Sequence, residues 1–225
     1  MGASKRNEVE VVRGKCYACY RPLSSCMCKH VKPIITQTKF VILMHPKEFQ
    51  KVKNGTGHLT HLSLPNSELY VGVDFREHKR VNALLLDSNK LCYVLYPGED
   101  SLHLNEKKIV CEGRELVIFI IDATWSTAQK LLKVSTNLQA LPKLSFTHTK
   151  SSQFQIKQQP QEAYLSTIES TLTILELLNE HKMESIEKGS MEHFLDPFKA
   201  MIDYQISCIA ESSSNHENAV RFKKR

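Results

Sequence analysis

The chain has 225 residues, 41% of them hydrophobic, and 30 Lys and Arg residues against 24 Asp and Glu residues give a formal net charge of +6. This length suits one large globular domain, or one domain with an appendage. The longest apolar run is far shorter than a membrane-spanning helix, and the N-terminal residues lack the apolar core of a secretory signal. We therefore expect a cytoplasmic protein with no membrane partner. The positive charge suits a polyanion, although a mixed, solvated surface explains it equally well.

The first structured segment is rich in cysteine. Four of the seven cysteines crowd together, namely Cys16, Cys19, Cys26 and Cys28. Two close thiolate pairs supply the four soft ligands of tetrahedral Zn²⁺, and they leave no open coordination position. We predict a structural zinc site, with free or redox-active thiols as the alternative. The remaining three are predicted to be small buried residues: Cys92, Cys111 and Cys208.

Basic residues and tyrosines surround these cysteines, at Arg13, Lys15, Tyr17, Tyr20, Arg21, Lys29, His30 and Lys32. Positive charge beside exposed rings suits contacts to RNA. In the alternative interpretation, the tyrosines cover the metal and the charges are solvated.

The rest of the chain alternates aliphatic strands with amphipathic helices. Strands are predicted at 39–44, 68–73, 91–96, 116–121 and 144–147, and helices at 58–64, 127–134, 166–181 and 190–209. The last helix is expected to be interrupted, or to start anew, at Pro197. Residues 82–86 are apolar but too short to assign. Such alternation predicts an α/β domain with a largely parallel sheet. We assign 1–33 to a tail and the zinc-binding cysteine segment, 34–210 to the main domain, and 211–225 to a basic, disordered tail.

Polar loops follow three of the predicted strands. They begin at His45, at Pro97 and at Asp122, and the last reads Asp-Ala-Thr-Trp. Ligands bind at the carboxyl ends of parallel strands, so three such loops predict a shared cleft. Asp122 is equally well explained as the N-cap of the following helix, supported by Thr124. Trp125 is either a core residue or a wall of the cleft.

Two further features have both structural and functional interpretations. Ser166 and Glu169 have the spacing of a capping box at the start of the longest helix, and the same helix start suits an anion such as a carboxylate. His58 and His61 share a helix face without a third metal ligand, so we interpret them as surface residues.

The sequence from Asp122 to Trp125 resembles the D-x-T-W signature of the DTW-domain family, the tRNA-uridine aminocarboxypropyltransferases. The resemblance continues, in the same order along the chain, at the cysteine segment and at 45–48, 54–57, 95–98, 138–142 and 164–169. It spans roughly residues 15–205. One position departs from the family: some members carry Arg near Lys157, and Lys keeps the charge but loses the bidentate geometry.

The resemblance implies a SPOUT-like α/β fold whose sheet is mostly parallel and whose C-terminal part forms a trefoil knot. Periodicity alone does not indicate a knot, since knots are rare. It also implies S-adenosylmethionine as the donor and a tRNA uridine as the acceptor. The 3-amino-3-carboxypropyl group would move to uridine N3, and 5′-methylthioadenosine would leave.

The resemblance also implies roles for the motif residues. Asp122 is the candidate base, because the sulfonium is already a good leaving group and the reaction needs mainly positioning and a proton acceptor. The expected donor site comprises Leu95, Pro97, Gly98, Thr124, Trp125, Ser166 and Thr167. Expected acceptor contacts are His45, Glu48, Thr56, Gly57 and Lys157.

Other functions remain open from the sequence. One is a different enzyme with the same donor, either an aminocarboxypropyltransferase acting on ribosomal RNA or a SPOUT methyltransferase. Another is a zinc-stabilised RNA-binding protein without catalysis. The sequence selects neither the tRNA, nor the uridine, nor the oligomeric state.

Overall fold

The computed structural model describes residues 14–50, 55–148 and 165–222, and for 212–222 it describes only the backbone. Lys157, one of the expected acceptor contacts, therefore lies outside the described residues.

Six strands form one sheet whose described pairings are all parallel. The strands are β1 (Lys39–Met44), β2 (Ser67–Val71), β3 (Lys90–Leu95), β4 (Leu102–His103), β5 (Glu115–Asp122) and β6 (Lys143–Ser145). Their order across the sheet is β2-β1-β5-β3-β6-β4. The predicted α/β class and parallel sheet are confirmed, and only the two-residue strand β4 has no counterpart among the predicted strands.

Eight α-helices connect and cover these strands in the described residues. They are α1 (Pro46–Gln50), α2 (Gly57–Ser63), α3 (Lys79–Leu86), α4 (Trp125–Val134), α5 (Thr136–Gln139), α6 (Thr167–Glu180), α7 (Lys188–Glu192) and α8 (Asp196–Phe222). Short 3₁₀ turns occupy Leu23–Ser25 and Cys28–His30.

The structure differs from the predicted helices in several places, and the short helices α1 and α5 have no predicted counterpart. The unassigned residues 82–86 belong to α3, in which Val81 and Leu84 are buried. The predicted interruption of the 190–209 helix at Pro197 is confirmed: α7 ends at Glu192, and α8 begins at Asp196 with Pro197 in its first turn, where a backbone N–H has no acceptor within the helix. The backbone of α8 continues to Phe222, so residues 211–222 are helical where the sequence predicts a disordered tail.

Strand β5 is central in the sheet and buried on both faces. Ile118 and Ile120 join a core with α6 and α8, whereas Val117 and Phe119 join a second core with α3 and α4. Successive side chains of a strand point to opposite faces, so a strand covered on both sides needs an unbroken aliphatic run. That run ends at Asp122, the last residue of β5.

The cysteine segment packs onto the main domain. Met27 and Ile34 are buried in the same core as α6 and α8, and the Cys28–His30 turn lies against α8. An antiparallel bridge between Lys15 and Pro22 closes the loop that carries the first two cysteines. The segment is thus fixed to the domain by apolar contacts in addition to any metal.

No helix in the described part of the chain combines the length and apolar character that a membrane span requires. The trefoil knot and the SPOUT relationship stay predictions.

Glu184, which follows α6, forms hydrogen bonds with the residues that precede β1. It is 4% exposed, and its two carboxylate oxygens accept hydrogen bonds from the backbone N–H groups of Gln37 (2.9 Å) and Thr38 (2.7 Å). Two buried donors thus depend on a single side chain.

We expect Glu184→Ala to lower the free energy of unfolding by about 2–4 kcal/mol, because buried N–H groups left without an acceptor are costly. Glu184→Gln keeps one acceptor oxygen and should lose clearly less. Urea denaturation monitored by circular dichroism measures both values. Equal losses in the two variants would contradict the assigned hydrogen bonds.

Candidate active site and cysteine cluster

Asp122 lies where β5 meets its neighbour β1. It pairs in register with Met44, and its backbone oxygen accepts a hydrogen bond from the N–H of His45 at 3.0 Å. The residue is 8% exposed. Because β1, β5 and β3 are adjacent and parallel, the loops that follow them lie at one edge of the sheet. The order of the strands therefore brings the three loops to one edge of the sheet, as predicted.

The carboxylate of Asp122 is held between the starts of two helices. Thr167, the first residue of α6, donates its hydroxyl hydrogen to Oδ1 of Asp122 at 2.6 Å. Gly57, the first residue of α2, approaches so closely that a Cβ atom there would lie 2.2 Å from Oδ2 of Asp122. No L-residue with a side chain fits at position 57 unless the carboxylate moves.

Asp122 is not the N-cap of the helix that follows it. Thr124 occupies that position, and its carbonyl accepts from the N–H groups of Thr127 and Ala128. Its hydroxyl also donates to Thr127 Oγ1 at 2.9 Å. The capping interpretation of Asp122 is thus wrong, because α4 begins two residues further along than that interpretation requires. This leaves the Asp122 side chain directed to α2 and α6.

A pocket of about 220 Å³ opens beside this site, between the ends of β3, β5 and β6 and the start of α6. Four of the residues expected at the donor site line it: Leu95, Pro97, Trp125 and Thr167. Sequence reasoning missed several other lining residues, which are Tyr96, Ile121, Ser145, Phe146, His148 and Ser170. Four of these come from β6, from the residues just after it, or from α6, and no local motif shows that these segments lie near β5.

The other three expected donor residues lie next to the pocket without lining it. Thr124 caps α4. Gly98 is exposed, and its carbonyl accepts from the hydroxyl of Ser101 at 2.7 Å. Ser166 forms the predicted capping box, since its backbone N–H and its hydroxyl both donate to Glu169, at 2.9 and 2.6 Å. The capping box is confirmed, so Ser166 has a structural role whatever else it does.

Aromatic side chains form one wall of the pocket. Trp125 is 44% exposed, and its ring contacts that of Tyr96 edge to face, with ring centroids 6.0 Å apart. Among the described lining residues there is no Lys, Arg, Asp or Glu. A site of this kind suits a flat ligand or a cation that is attracted to ring faces.

Four of the five expected acceptor residues lie in or next to α1 and α2. Gly57 touches its carboxylate, and Thr56, which is 5% exposed, precedes it as the N-cap of α2. His45 accepts a hydrogen bond at Nδ1 from the N–H of Lys47 at 3.2 Å, which fixes its ring at the start of α1. Glu48 is half-buried on the same short helix. Asp122 therefore contacts both the start of α2, through Gly57, and a residue of the pocket wall, Thr167.

The four clustered cysteines form a group of the right size for a metal ion. Their sulfur atoms all lie within 4.8 Å of one another, with Cys16 and Cys28 at 3.6 Å and Cys19 and Cys26 at 3.7 Å. A Zn–S distance of about 2.3 Å gives a tetrahedron with edges of about 3.8 Å. The cluster fits a tetrahedral Zn²⁺, and none of its sulfur atoms is in a disulfide.

The protein backbone helps one of these thiols to ionise. The N–H groups of Cys19 and Ala18 lower the pKa of Cys16 to about 6, because they stabilise the thiolate. Burial has the opposite effect on Cys28, whose pKa it raises. A bound cation would remove that penalty, since a metal ligand is deprotonated outright.

Several interpretations of the residues around the cluster need correction. Arg21 is no RNA contact: only 2% of it is exposed, as it is buried against Met201. His58 is no surface residue either, because it is 4% exposed and burial lowers its pKa to about 4. The two tyrosines of the segment differ in exposure: Tyr17 is 86% exposed, whereas the ring of Tyr20 packs against His58.

Of the three scattered cysteines, Cys92 is buried as predicted, Cys111 is half-buried and Cys208 is exposed on α8. The prediction for Cys208 is wrong, because that part of α8 lies outside the core.

Comparison with known proteins relates most of the chain to one family. The DTW domain matches residues 13–206. tRNA-uridine aminocarboxypropyltransferase 2 of Mus musculus is 28% identical over 214 residues, which cover 93% of this chain and 69% of the relative. The protein of the same name from Drosophila melanogaster is 31% identical over 172 residues, covering 74% of this chain and 67% of the relative. No solved structure matches.

The matched region contains the cysteine cluster, the three strand-end loops and the start of α6. A match of this extent, together with the Asp-Ala-Thr-Trp sequence at the end of β5, shows that the chain belongs to the DTW domain family.

Proposed function

We propose that this protein transfers the 3-amino-3-carboxypropyl group of S-adenosylmethionine to N3 of a uridine in tRNA. The printed names of the relatives describe tRNA-uridine aminocarboxypropyltransferases, and that activity comes to this chain through them. The observation that carries the proposal is the position of Asp122, whose carboxylate contacts Thr167, a residue of the pocket wall, and Gly57, the first residue of α2.

In the proposed reaction, uridine N3 attacks the Cγ carbon of the donor's methionine chain. The bond between Cγ and the sulfonium sulfur breaks, and 5′-methylthioadenosine leaves as a neutral thioether. N3 loses its proton, which requires an acceptor at the site. The sulfonium is a good leaving group, so the protein contributes mainly positioning and this acceptor.

Asp122 is the proposed acceptor of that proton. It is the carboxylate at the junction of the pocket with the α1–α2 region, and Thr167 fixes its orientation by the hydrogen bond to Oδ1. The close packing of Gly57 leaves the carboxylate little freedom to rotate. A base held in this way is already oriented before the substrate binds. Such prior orientation lowers the activation barrier of the reaction.

The pocket is the proposed donor site. Its aromatic wall at Tyr96 and Trp125 suits both an adenine ring and a sulfonium cation. Thr167 and Ser170 bring hydroxyl groups and the first turn of α6 to the same pocket. A helix start attracts a carboxylate, so we assign the donor's carboxylate to this end.

The remaining assignments follow from this arrangement. His45, Glu48, Thr56 and Gly57 would face the acceptor tRNA, and Lys157 would join them. The four cysteines would hold a structural Zn²⁺, because their spacing and soft ligands fit that ion. The cytoplasmic location stays a prediction.

The reaction products test the proposed function directly. We expect uridine that is heavier by one aminocarboxypropyl group when tRNA, S-adenosylmethionine and the protein are incubated together, with one 5′-methylthioadenosine formed per modified uridine. Nucleoside mass spectrometry and chromatography of the released nucleoside measure the two quantities. S-adenosylhomocysteine would instead identify a methyltransferase, and modification of ribosomal RNA alone would reassign the substrate.

Asp122→Asn keeps the size of the side chain and an oxygen that can accept from Thr167, but it cannot take up a proton. We expect kcat to fall by roughly 10²–10⁴-fold, the usual contribution of a general base. The dissociation constant of S-adenosylmethionine, measured by calorimetry, should change little. Asp74→Asn, at an exposed carboxylate paired with Arg76, is the matched control. Near-wild-type turnover in Asp122→Asn would rule out the base role.

Gly57→Ala should abolish transfer, because its Cβ would meet Oδ2 of Asp122 at 2.2 Å and Cε of Met44 at 2.6 Å. The carboxylate must then move away from its place beside Thr167. Gly189→Ala is the control, since a Cβ at that glycine meets no atom within 4 Å. Turnover and melting temperature are measured together; a fully active Gly57→Ala variant would show that the placement of Asp122 is not critical.

A further inference from the structure

Arg21 links the cysteine cluster to the segment that begins α2. Its Nη2 atom donates to the carbonyl oxygen of Gly55 at 3.1 Å and lies 2.9 Å from the sulfur of Met201 on α8. Gly55 is two residues before Gly57, which touches the carboxylate of Asp122. One side chain of the cysteine loop thus reaches to within two residues of the candidate active site.

The buried guanidinium also complements the charge of a loaded cluster. Four thiolates around one Zn²⁺ carry a net charge of −2, and a buried charge needs a partner of opposite sign. Burial lowers the pKa of Arg21, whereas the negative charges of Cys19, Cys26 and Cys28 raise it. The guanidinium is therefore near enough to the cysteines to feel their charge, and it donates a hydrogen bond to the Gly55 carbonyl.

The neighbouring residue makes a second contact between the same two parts of the protein. Tyr20 has a φ of 60°, a backbone conformation that is unfavourable for a tyrosine. Its ring packs against Phe49 of α1, with centroids 5.3 Å apart, and against His58 of α2 at 4.7 Å. The turn at Tyr20 and Arg21 therefore docks on the two helices that carry the expected acceptor residues.

We propose that Arg21 is a positioning residue that couples metal occupancy of the cysteine cluster to the placement of the Gly55–Gly57 segment against Asp122. Its effect on turnover rests on the proposed function, whereas the coupling itself does not. The backbone carbonyl of Arg21 accepts a hydrogen bond from the N–H of Cys16 at 2.8 Å, so a metal held by the four cysteines fixes the loop that carries Arg21. Without the metal that loop is no longer fixed, and the Gly55 carbonyl at the start of α2 loses its anchor.

Hydrogen exchange measured by mass spectrometry tests the coupling without an activity assay. In the wild-type protein, removal of the metal with a chelator should accelerate exchange in peptides covering α2 by at least about tenfold, while peptides of β5 keep their protection. In Arg21→Met, α2 should exchange rapidly with or without the metal. Metal-independent exchange in the wild type, or a retained metal response in Arg21→Met, would overturn the proposal.

Metal affinity gives a second readout. Chelator competition should show that Arg21→Met binds Zn²⁺ roughly 10–100-fold more weakly, the usual effect of losing a partner of metal ligands. Arg21→Lys keeps a cation but not the planar fork that serves two partners at once. We expect it to recover much of the affinity while α2 still exchanges rapidly, so it decides the question even if Arg21→Met does not fold.

Arg114→Met is the matched control, because Arg114 also donates to a backbone carbonyl, that of Cys111, at a site distant from the cluster in the sequence. It should match the wild type in both readouts. In the transfer assay at saturating Zn²⁺, Arg21→Met should lose at least about tenfold in kcat and keep its affinity for S-adenosylmethionine. If the wild type transfers nothing, the proposed function fails, while the exchange and affinity measurements still decide the coupling.

Discussion

The candidate site depends on the confinement of one carboxylate between two helix starts. Asp122 ends a strand that is buried on both faces, and its side chain meets Thr167 of α6 and Gly57 of α2. Each contact is made by the first residue of a helix, so the backbone positions of three elements fix the carboxylate. Atoms that are packed this closely move together. A small shift of α2 or α6 would therefore move the carboxylate of Asp122.

Much of this arrangement could be predicted because it follows from local sequence. An unbroken aliphatic run ending in Asp122 identifies a central strand and its end, and the parallel class then brings the loops after β1, β3 and β5 to one edge. The contributions of Ser145, Phe146 and Ser170 could not be predicted in the same way. They depend on how β6 and α6 fold back onto β3 and β5, and sequence patterns do not encode such long-range proximity.

The cysteine segment shows a different limit of sequence reasoning. The spacing of the cysteines indicated a metal site, and the sulfur distances fit one. The charge of Arg21 indicates a surface residue, yet the side chain is buried, beside Met201 and hydrogen-bonded to Gly55. A sequence shows which groups carry charge but not which of them have a buried partner. His58 is buried for a different reason, because the rings of Tyr20 and Phe49 pack against it. Helix α4 begins two residues later than it would if Asp122 were its N-cap. Because of this small difference, the Asp122 side chain has no capping role.

The position of Trp125 has a practical consequence. It is the only tryptophan of the chain, and its half-exposed ring stands at the rim of the pocket, in contact with Tyr96. The indole emission of this protein therefore comes from one known place, beside the proposed donor site. A ligand that covers the ring displaces water from it and changes the colour and intensity of that emission, so the wild-type chain reports occupancy of its own pocket without any attached label.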